Sequence, residues 1–304
     1  MKLRERKWQK PSDGQRGCYV IGTDKNENKA MLSPKRISAA MLMGVFLTSL
    51  SVLLLEITFT RILSVMLSYH YVFVVISMAL LGLGAGGVFS YFTRSRVSLG
   101  SLPVFGGIFA VSIFFSVFGV AKLGAAGMFL DSLIILVPFF FAGVILSRVF
   151  QEYAIQSGKV YAADLTGAAA GALLAVPLLD RLGGINSGLL ISIFAAIASL
   201  LLVWKLKTKI WFPAFSLISV VALFLTSIYV PATSDIVLRP DLNKELVASL
   251  ANGDTSSQIV ATRWSSFGRT DLVKYNNTPD IMTIFVDATA GTAMYRFSGD
   301  INNP

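Results

Sequence analysis

Long uncharged apolar runs recur along this chain with short charged intervals between them, and sustained polar sequence is confined to its two ends. A bilayer hydrocarbon core about 30 Å thick takes roughly 20 residues of α-helix. Seven runs approach that length: Ile37–Leu55, Tyr71–Phe92, Ser98–Ala121, Met128–Ser147, Val160–Leu179, Leu182–Trp204 and Ile210–Val230. Asp131 lies near one end of the fourth, and Asp164 lies inside the fifth. After Val230 the pattern turns polar, and Pro240 with Asp241 opens a short helix that Gly253 stops. Shorter runs rich in strand-forming residues follow at Gln258–Trp264, Thr270–Tyr275, Ile281–Val286 and Thr292–Phe297. Asn276, Asn277, Pro279 and Gly291 lie between them as turn formers. The expected fold is an all-α polytopic membrane bundle of about seven transmembrane helices over residues 37–230. A linker helix and a small, incomplete β-strand region follow over residues 231–304. At roughly 50 residues this region is too small to bury an adequate core alone, which predicts a soluble domain continuing past Pro304.

Composition strengthens the membrane expectation. Of 304 residues, 54% are hydrophobic and 14% charged, and the mean hydropathy is +0.68, far from an ordinary soluble domain. One cysteine, Cys18, excludes an intramolecular disulfide, and with one histidine, His70, a Cys/His zinc cluster cannot be assembled. No metal is expected. Residues 1–36 carry ten Lys/Arg against four Asp/Glu, too charged for a cleaved secretory signal, and read as a disordered basic arm. Met31, directly before the first run, offers an alternative start.

Charge then orients the chain. With the arm in the cytoplasm, Arg94, Arg96, Arg148, Lys159, Lys205, Lys207 and Lys209 fall on its side, and only Arg61, Lys122 and Arg181 fall opposite, 17 positive residues against 3. The positive-inside rule places the N-terminus in the cytoplasm and the C-terminal part outside a cell (inner) membrane. The net +9 is then accounted for by basic loops facing anionic lipid, and nucleic acid need not be invoked.

Few motifs carry chemistry. Gly82, Gly84 and Gly87 spell G-x-G-x-x-G, but a dinucleotide loop needs a strand before it and a helix after it, and this one sits inside an apolar run. Gly82 and Gly86, continued by Ser90, read instead as a small-xxx-small series for close helix approach. Glu56 and Arg61 follow the first run; five residues apart, they stand about 140° apart on a helix and pair poorly, so Glu56 faces Thr60. They are interfacial anchors with Arg61 snorkelling, or Glu56 points inward to take a proton or cation.

Asp164, Gly167, Ala168 and Gly171 fall at i, i+3, i+4 and i+7, one helix face, so the acid points where neighbouring helices come closest. Either its carboxylate caps a helix beginning at Leu165, or the helix begins near Val160 and the acid inside the bundle takes a structural or functional partner. Pro138 is expected to kink the fourth span, with Phe139, Phe140 and Phe141 as lipid-facing bulk. There are no paired carboxylates at glycosidase-like spacing, no nucleophile elbow and no P-loop, so catalysis by these 304 residues has no support.

In order and spacing, LLLEITFTRILSV, LLGLGAGG, VYAADLTGAAAGALLAVPLL, WSSFGRTDLVKY and IFVDATAGTAMY resemble the membrane-embedded branch of the spermidine/spermine synthase-like proteins. These are bacterial chains with a multi-span N-terminal domain fused to an aminopropyltransferase-like domain. The resemblance covers most of Ile37–Tyr295 and leaves out the basic arm. It implies that WSSFGRTDLV and IFVDATAGT are strands leading into the transferase fold, with the nucleotide loop and acidic catalytic residues after them. At this length it implies no transferase activity and no cofactor in the chain, decarboxylated S-adenosylmethionine or S-adenosylmethionine belonging to the full-length family. A polyamine or other cationic substrate is the implied partner beside the bilayer. Residues matching the family pattern are Glu56, Arg61, Tyr161, Asp164, Gly167, Arg269 and Asp271, with no roles implied. Two other functions are consistent with the residues: a transporter or lipid-handling bundle using Asp164 and Glu56 as cation or proton sites, and a non-catalytic scaffold.

Overall fold

The computed structural model describes residues 37–67, 72–94, 98–123, 128–206, 209–230, 236, 244–251, 257–278, 280–296 and 299. The basic arm with Met31, and Pro240, Asp241 and Gly253 of the expected linker helix, lie outside the described residues. The helices are α1 (Ala39–Met66), α2 (Val72–Phe92), α3 (Leu102–Leu123), α4 (Met128–Glu152), α5 (Ser157–Leu206), α6 (Trp211–Tyr229) and the short α7 (Glu245–Ala251). The Ser38 hydroxyl caps α1 by accepting from the Met41 N–H at 3.3 Å.

Among the described residues, six helices are long and apolar enough to cross a membrane, one fewer than the seven runs expected. The difference lies in α5, whose 50 residues would extend about 75 Å if straight. They do not run straight, because Gly183 has φ 73° and ψ −178°, a conformation open essentially to glycine alone. The α1 neighbours show the consequence. A Cβ on Gly167 would stand 2.2 Å from the Phe46 carbonyl oxygen, and one on Gly44 would stand 3.1 Å from Leu202. Gly167 and Leu202 thus both meet the first half of α1, while Gly184 between them approaches Ile62 near its end. The helix folds back at Gly183 into arms 157–182, parallel to α1, and 184–206, antiparallel to it.

Close approach of backbones sets the other pairings. On α2, a Cβ at Gly82 would lie 2.8 Å from the Leu136 oxygen, and one at Gly86 2.2 Å from that of Phe140. Gly143 of α4 returns the contact at 2.4 Å from the Leu83 oxygen, so the Gly82/Gly86 face lies against α4 as a small-residue seam does. Gly84, the middle glycine of the G-x-G-x-x-G string, has nothing within 4 Å, and the string is helical throughout. Gly106 of α3 meets Ser199, and Gly188 meets Val117, which sets α3 antiparallel to the second arm of α5.

The helix α4 continues through Pro138. Proline supplies no N–H to the carbonyl four residues earlier, here Ile134, and the Ser116 hydroxyl of α3 donates to that oxygen at 2.7 Å instead. Ser116→Ala should leave this carbonyl unpaired and cost about 1–2 kcal/mol, measurable as a lower midpoint of thermal unfolding in detergent. Nor are the three phenylalanines after Pro138 the lipid-facing bulk expected of them. Consecutive helical residues point about 100° apart, so each meets a different neighbour: Phe139 is fully buried with its ring 6.5 Å from Phe59, Phe140 stands 5.4 Å from Phe89, and Phe141 6.3 Å from Phe105.

Strands β1 (Ser257–Trp264), β2 (Arg269–Tyr275), β3 (Ile281–Val286) and β4 (Ala290–Tyr295) form an antiparallel meander in sequence order, with a bulge between Ile259 and Ala261. Their own core is four residues, Leu246 of α7 with Val273, Phe285 and Ala288. β4 is exposed along its whole length. So small a core cannot hold a sheet in place, and the bundle supplies the rest.

Candidate functional site

The site is the seam where the end of the bundle carries the sheet. Trp264, the last residue of β1, lies against the α5 turn: Cβ atoms on Gly183 and Gly184 would stand 2.9 and 3.1 Å from its ring. Glycine there does two things, permitting the reversal and leaving room for an indole. On either side of the turn the bundle reaches the β1–β2 hairpin. Arg61 Nη1 donates to the Phe267 carbonyl at 3.2 Å, and the Asp180 carboxylate accepts from the Ser266 N–H at 2.6 Å.

Asp287 is the centre of the seam. It follows β3 with φ 49°, and Ala288 follows it with φ 60°, a left-handed pair that aspartate tolerates better than most residues. That turn aims its carboxylate two ways: Oδ1 accepts from the Arg269 N–H at 2.9 Å, and Oδ2 from the Ser64 hydroxyl of α1 at 2.7 Å. Lys244, just before α7, completes the latch, its Nζ donating to the Ser64 carbonyl at 2.9 Å and to the Asp287 carbonyl at 2.8 Å. Burial pushes the Lys244 ammonium below the usual lysine range, and the Asp287 charge offsets part of that. A lysine that protonates less readily folded than unfolded adds stability as pH rises from its lowered pKa towards the ordinary value near 10.5. The stability gap between wild type and Lys244→Met should therefore move in favour of wild type over that window, read from denaturant midpoints at stepped pH. A gap independent of pH would refute the shift.

Replacing Asp287 with alanine strands the Arg269 N–H and the Ser64 hydroxyl and removes the Lys244 counter-charge. The expected cost is about 2 kcal/mol, held below a fully buried ion's value because Asp287 is half-exposed. Faster hydrogen exchange at the β2 and β3 amides, with the helical amides unchanged, would report it.

Arg269 and Asp271 of β2 face the seam together. Asp271 is fully buried; its Oδ1 accepts from Arg269 Nε at 3.0 Å and from the Thr262 hydroxyl at 2.6 Å, and lies 2.9 Å from Arg269 Nη2. Its Oδ2 has no hydrogen-bond partner among the described residues. This is a buried charge pair bracing β1 against β2. With every carboxylate of the seam accepting from a protein donor, it is built as a joint.

Of the remaining sequence candidates, Glu56, Asp164 and Tyr161 lie away from the seam. Glu56 and Arg61 are both inside α1, which runs on to Met66 instead of ending at Leu55. They form no ion pair, and the Thr60 hydroxyl donates to the Ile57 carbonyl at 2.6 Å, leaving half-buried Glu56 without a hydrogen bond among the described residues. Asp164 is two turns inside α5, which begins at Ser157, so it does not cap a helix starting at Leu165. Its carboxylate accepts from the Ser49 hydroxyl of α1, beside Gly167 and Gly171, whose added Cβ atoms would meet the Phe46 and Leu50 oxygens. Tyr161 is 57% exposed on the outside of α5. Sixteen residues separate Asp164 from Asp180, about 24 Å of helix, so Asp164 and the seam are distinct places. Ser64, Asp180, Lys244, Trp264 and Asp287 had no sequence signal beyond an aspartate in a turn. No group of three His, Cys, Asp or Glu side chains that could hold a metal ion occurs among the described residues.

The chain matches no family model, no curated protein and no solved structure.

Proposed function

We propose that this chain is a multi-pass membrane protein whose helical bundle anchors and orients a small β-domain at one face of the bilayer. The observation that carries the reading is the reversal at Gly183. With each α5 arm taken as one pass the chain crosses seven times, α1 starting at the end of the bundle opposite the sheet and the two α5 arms lying against α1. Broad apolar exposure on the outer helices supports a lipid surround, with Phe73 at 70%, Phe92 at 78% and Trp211 at 70% exposed. Arg94 and Lys159 lie at the end where α1 starts, which favours that end as cytoplasmic. Single cysteines at Thr292 and at Arg94, made after Cys18→Ser, test the arrangement with an impermeant maleimide on intact spheroplasts. Labelling of Thr292→Cys alone is expected; equal labelling of both would overturn it.

On the family resemblance, the anchored strands are the lead into an aminopropyltransferase-like domain, and the intact protein transfers an aminopropyl group to a polyamine or binds a related cation. Of the segments carrying that resemblance, WSSFGRTDLVKY spans the β1–β2 turn and β2, and IFVDATAGTAMY the end of β3, the Asp287 turn and β4. Incubating the native membrane protein with decarboxylated S-adenosylmethionine and putrescine, and reading spermidine by mass spectrometry, tests this half. Correct topology with no spermidine would remove the transferase and leave the anchor.

Half-buried Glu56, lacking a hydrogen bond among the described residues, favours the transporter reading at that one position. Asp164 does not, because the Ser49 hydroxyl satisfies it. Asp164→Asn keeps an acceptor for Ser49 and should change stability by less than about 1 kcal/mol in detergent unfolding.

A further inference from the structure

The tip of the β1–β2 hairpin, residues 265–268, carries Phe267, which is 85% exposed. We infer that this tip is a lipid anchor, its Phe267 ring entering the boundary between headgroups and acyl chains beside α1 and the first arm of α5. The inference rests on the membrane reading above.

The depth of the tip follows from its two tethers. Asp180 of α5 holds the Ser266 N–H, and Arg61 of α1 holds the Phe267 carbonyl. Asp180 stands about 32 Å along its helix from Lys159, and Arg61 about 33 Å from Ala39 at the start of α1. Both distances match a hydrocarbon core about 30 Å thick, so the tethers mark its boundary on the sheet's side. The helix α1 continues past Arg61 to Met66, about 8 Å further, which puts the tip beside the helices and not beyond their ends.

The chemistry of the tip suits that depth. Lipid offers backbone groups no hydrogen bonds, and each N–H of residues 265–268 has a protein acceptor. Ser265 donates to the Gly268 carbonyl at 2.8 Å, Ser266 to the Asp180 carboxylate, Phe267 to the Ser265 hydroxyl at 3.3 Å and Gly268 to the Ser265 carbonyl at 3.2 Å. Aromatic side chains concentrate at membrane interfaces. At this end of the bundle Phe73 of α2, Phe129 of α4 and Tyr229 of α6 are all exposed. The last two turns of α1, and of the α5 arm before Gly183, carry no exposed aromatic residue. Phe267 supplies one on that side from the sheet.

Fluorescent labels on single cysteines, made in the full chain after Cys18→Ser, test this in phosphatidylcholine vesicles. Tyr229→Cys is the reference in lipid and Thr292→Cys the reference in water. Nitroxide-bearing phosphatidylcholine should quench the Phe267→Cys label severalfold more than that of Thr292→Cys and to the level of Tyr229→Cys, with iodide acting in the reverse order. Phe267→Trp reads the same position without a label: its added emission over wild type should be lost with brominated phosphatidylcholine. Where the two differ the tryptophan decides, being nearer phenylalanine in shape. Quenching by iodide and not by lipid would overturn the anchor, and so would quenching by neither, which would mean that protein covers the ring. Tyr229→Cys also escaping lipid quenching would defeat the membrane reading, whereas failure at Phe267 alone defeats only the lipid contact.

Discussion

Gly86→Ala is expected to destabilise the bundle by more than about 3 kcal/mol, beyond the usual range for an added methylene. A Cβ there would stand 2.2 Å from the Phe140 oxygen and 2.8 Å from the Val144 nitrogen. These are backbone atoms of α4 and cannot rotate away, so the two helices must separate along their length. The loss would spread to Gly82 and Gly143, which share the seam, and to the Phe89–Phe140 ring contact at 5.4 Å. Gly84→Ala is the matched control, because nothing lies within 4 Å of it. It should be neutral or slightly stabilising, since alanine is the better helix former by about 1 kcal/mol. Thermal unfolding and monodispersity in detergent compare the pair; equal behaviour would mean that α2 and α4 do not meet through this face.

The second large effect is expected at the reversal of α5. Gly183→Ala forces a side chain into φ 73°, ψ −178°, a strain of about 1–3 kcal/mol, and puts its Cβ 2.9 Å from the Trp264 ring. The indole must move, and with it the hairpin that holds the Ser266–Asp180 and Phe267–Arg61 bonds. A total loss of about 3 kcal/mol is expected, with rapid hydrogen exchange at the Ser266 amide. Gly158→Ala, with open space around it at the start of the same helix, should be harmless. Retention of slow exchange at Ser266 in Gly183→Ala would show that the turn does not hold the sheet.

Much of the architecture was legible before any coordinates. Uncharged runs of about 20 residues have few options in a compact chain beyond helices, and all the expected runs are helical. The four strands fall within two residues of their expected bounds at every end, because β-branched and aromatic runs between Asn, Pro and Gly leave little choice of boundary. The shared face of Asp164, Gly167 and Gly171 follows from helical spacing, and those residues do meet α1.

What was not legible is instructive for a stated reason in each case. LLDRLGGIN looked like a break between two spans, but residue order does not reveal that the polypeptide stays helical up to the turn, nor that an indole from residue 264 covers it. The phenylalanines after Pro138 resembled lipid-facing bulk because hydrophobicity alone does not distinguish lipid from a neighbouring helix. Asp287 was passed over because an aspartate after a strand is ordinary turn chemistry. It becomes a latch only where Ser64 and Lys244, far away in sequence, arrive around it.

Element type, approximate limits and the apolar character of the helices depend on local periodicity and transfer free energy, which each segment carries within itself. Pairing of helices, the side on which the sheet sits and the residues that bind it there depend on contacts between segments up to 223 residues apart. Those contacts select among many arrangements of equal hydrophobicity by whether backbones can approach and whether each buried polar group finds a partner.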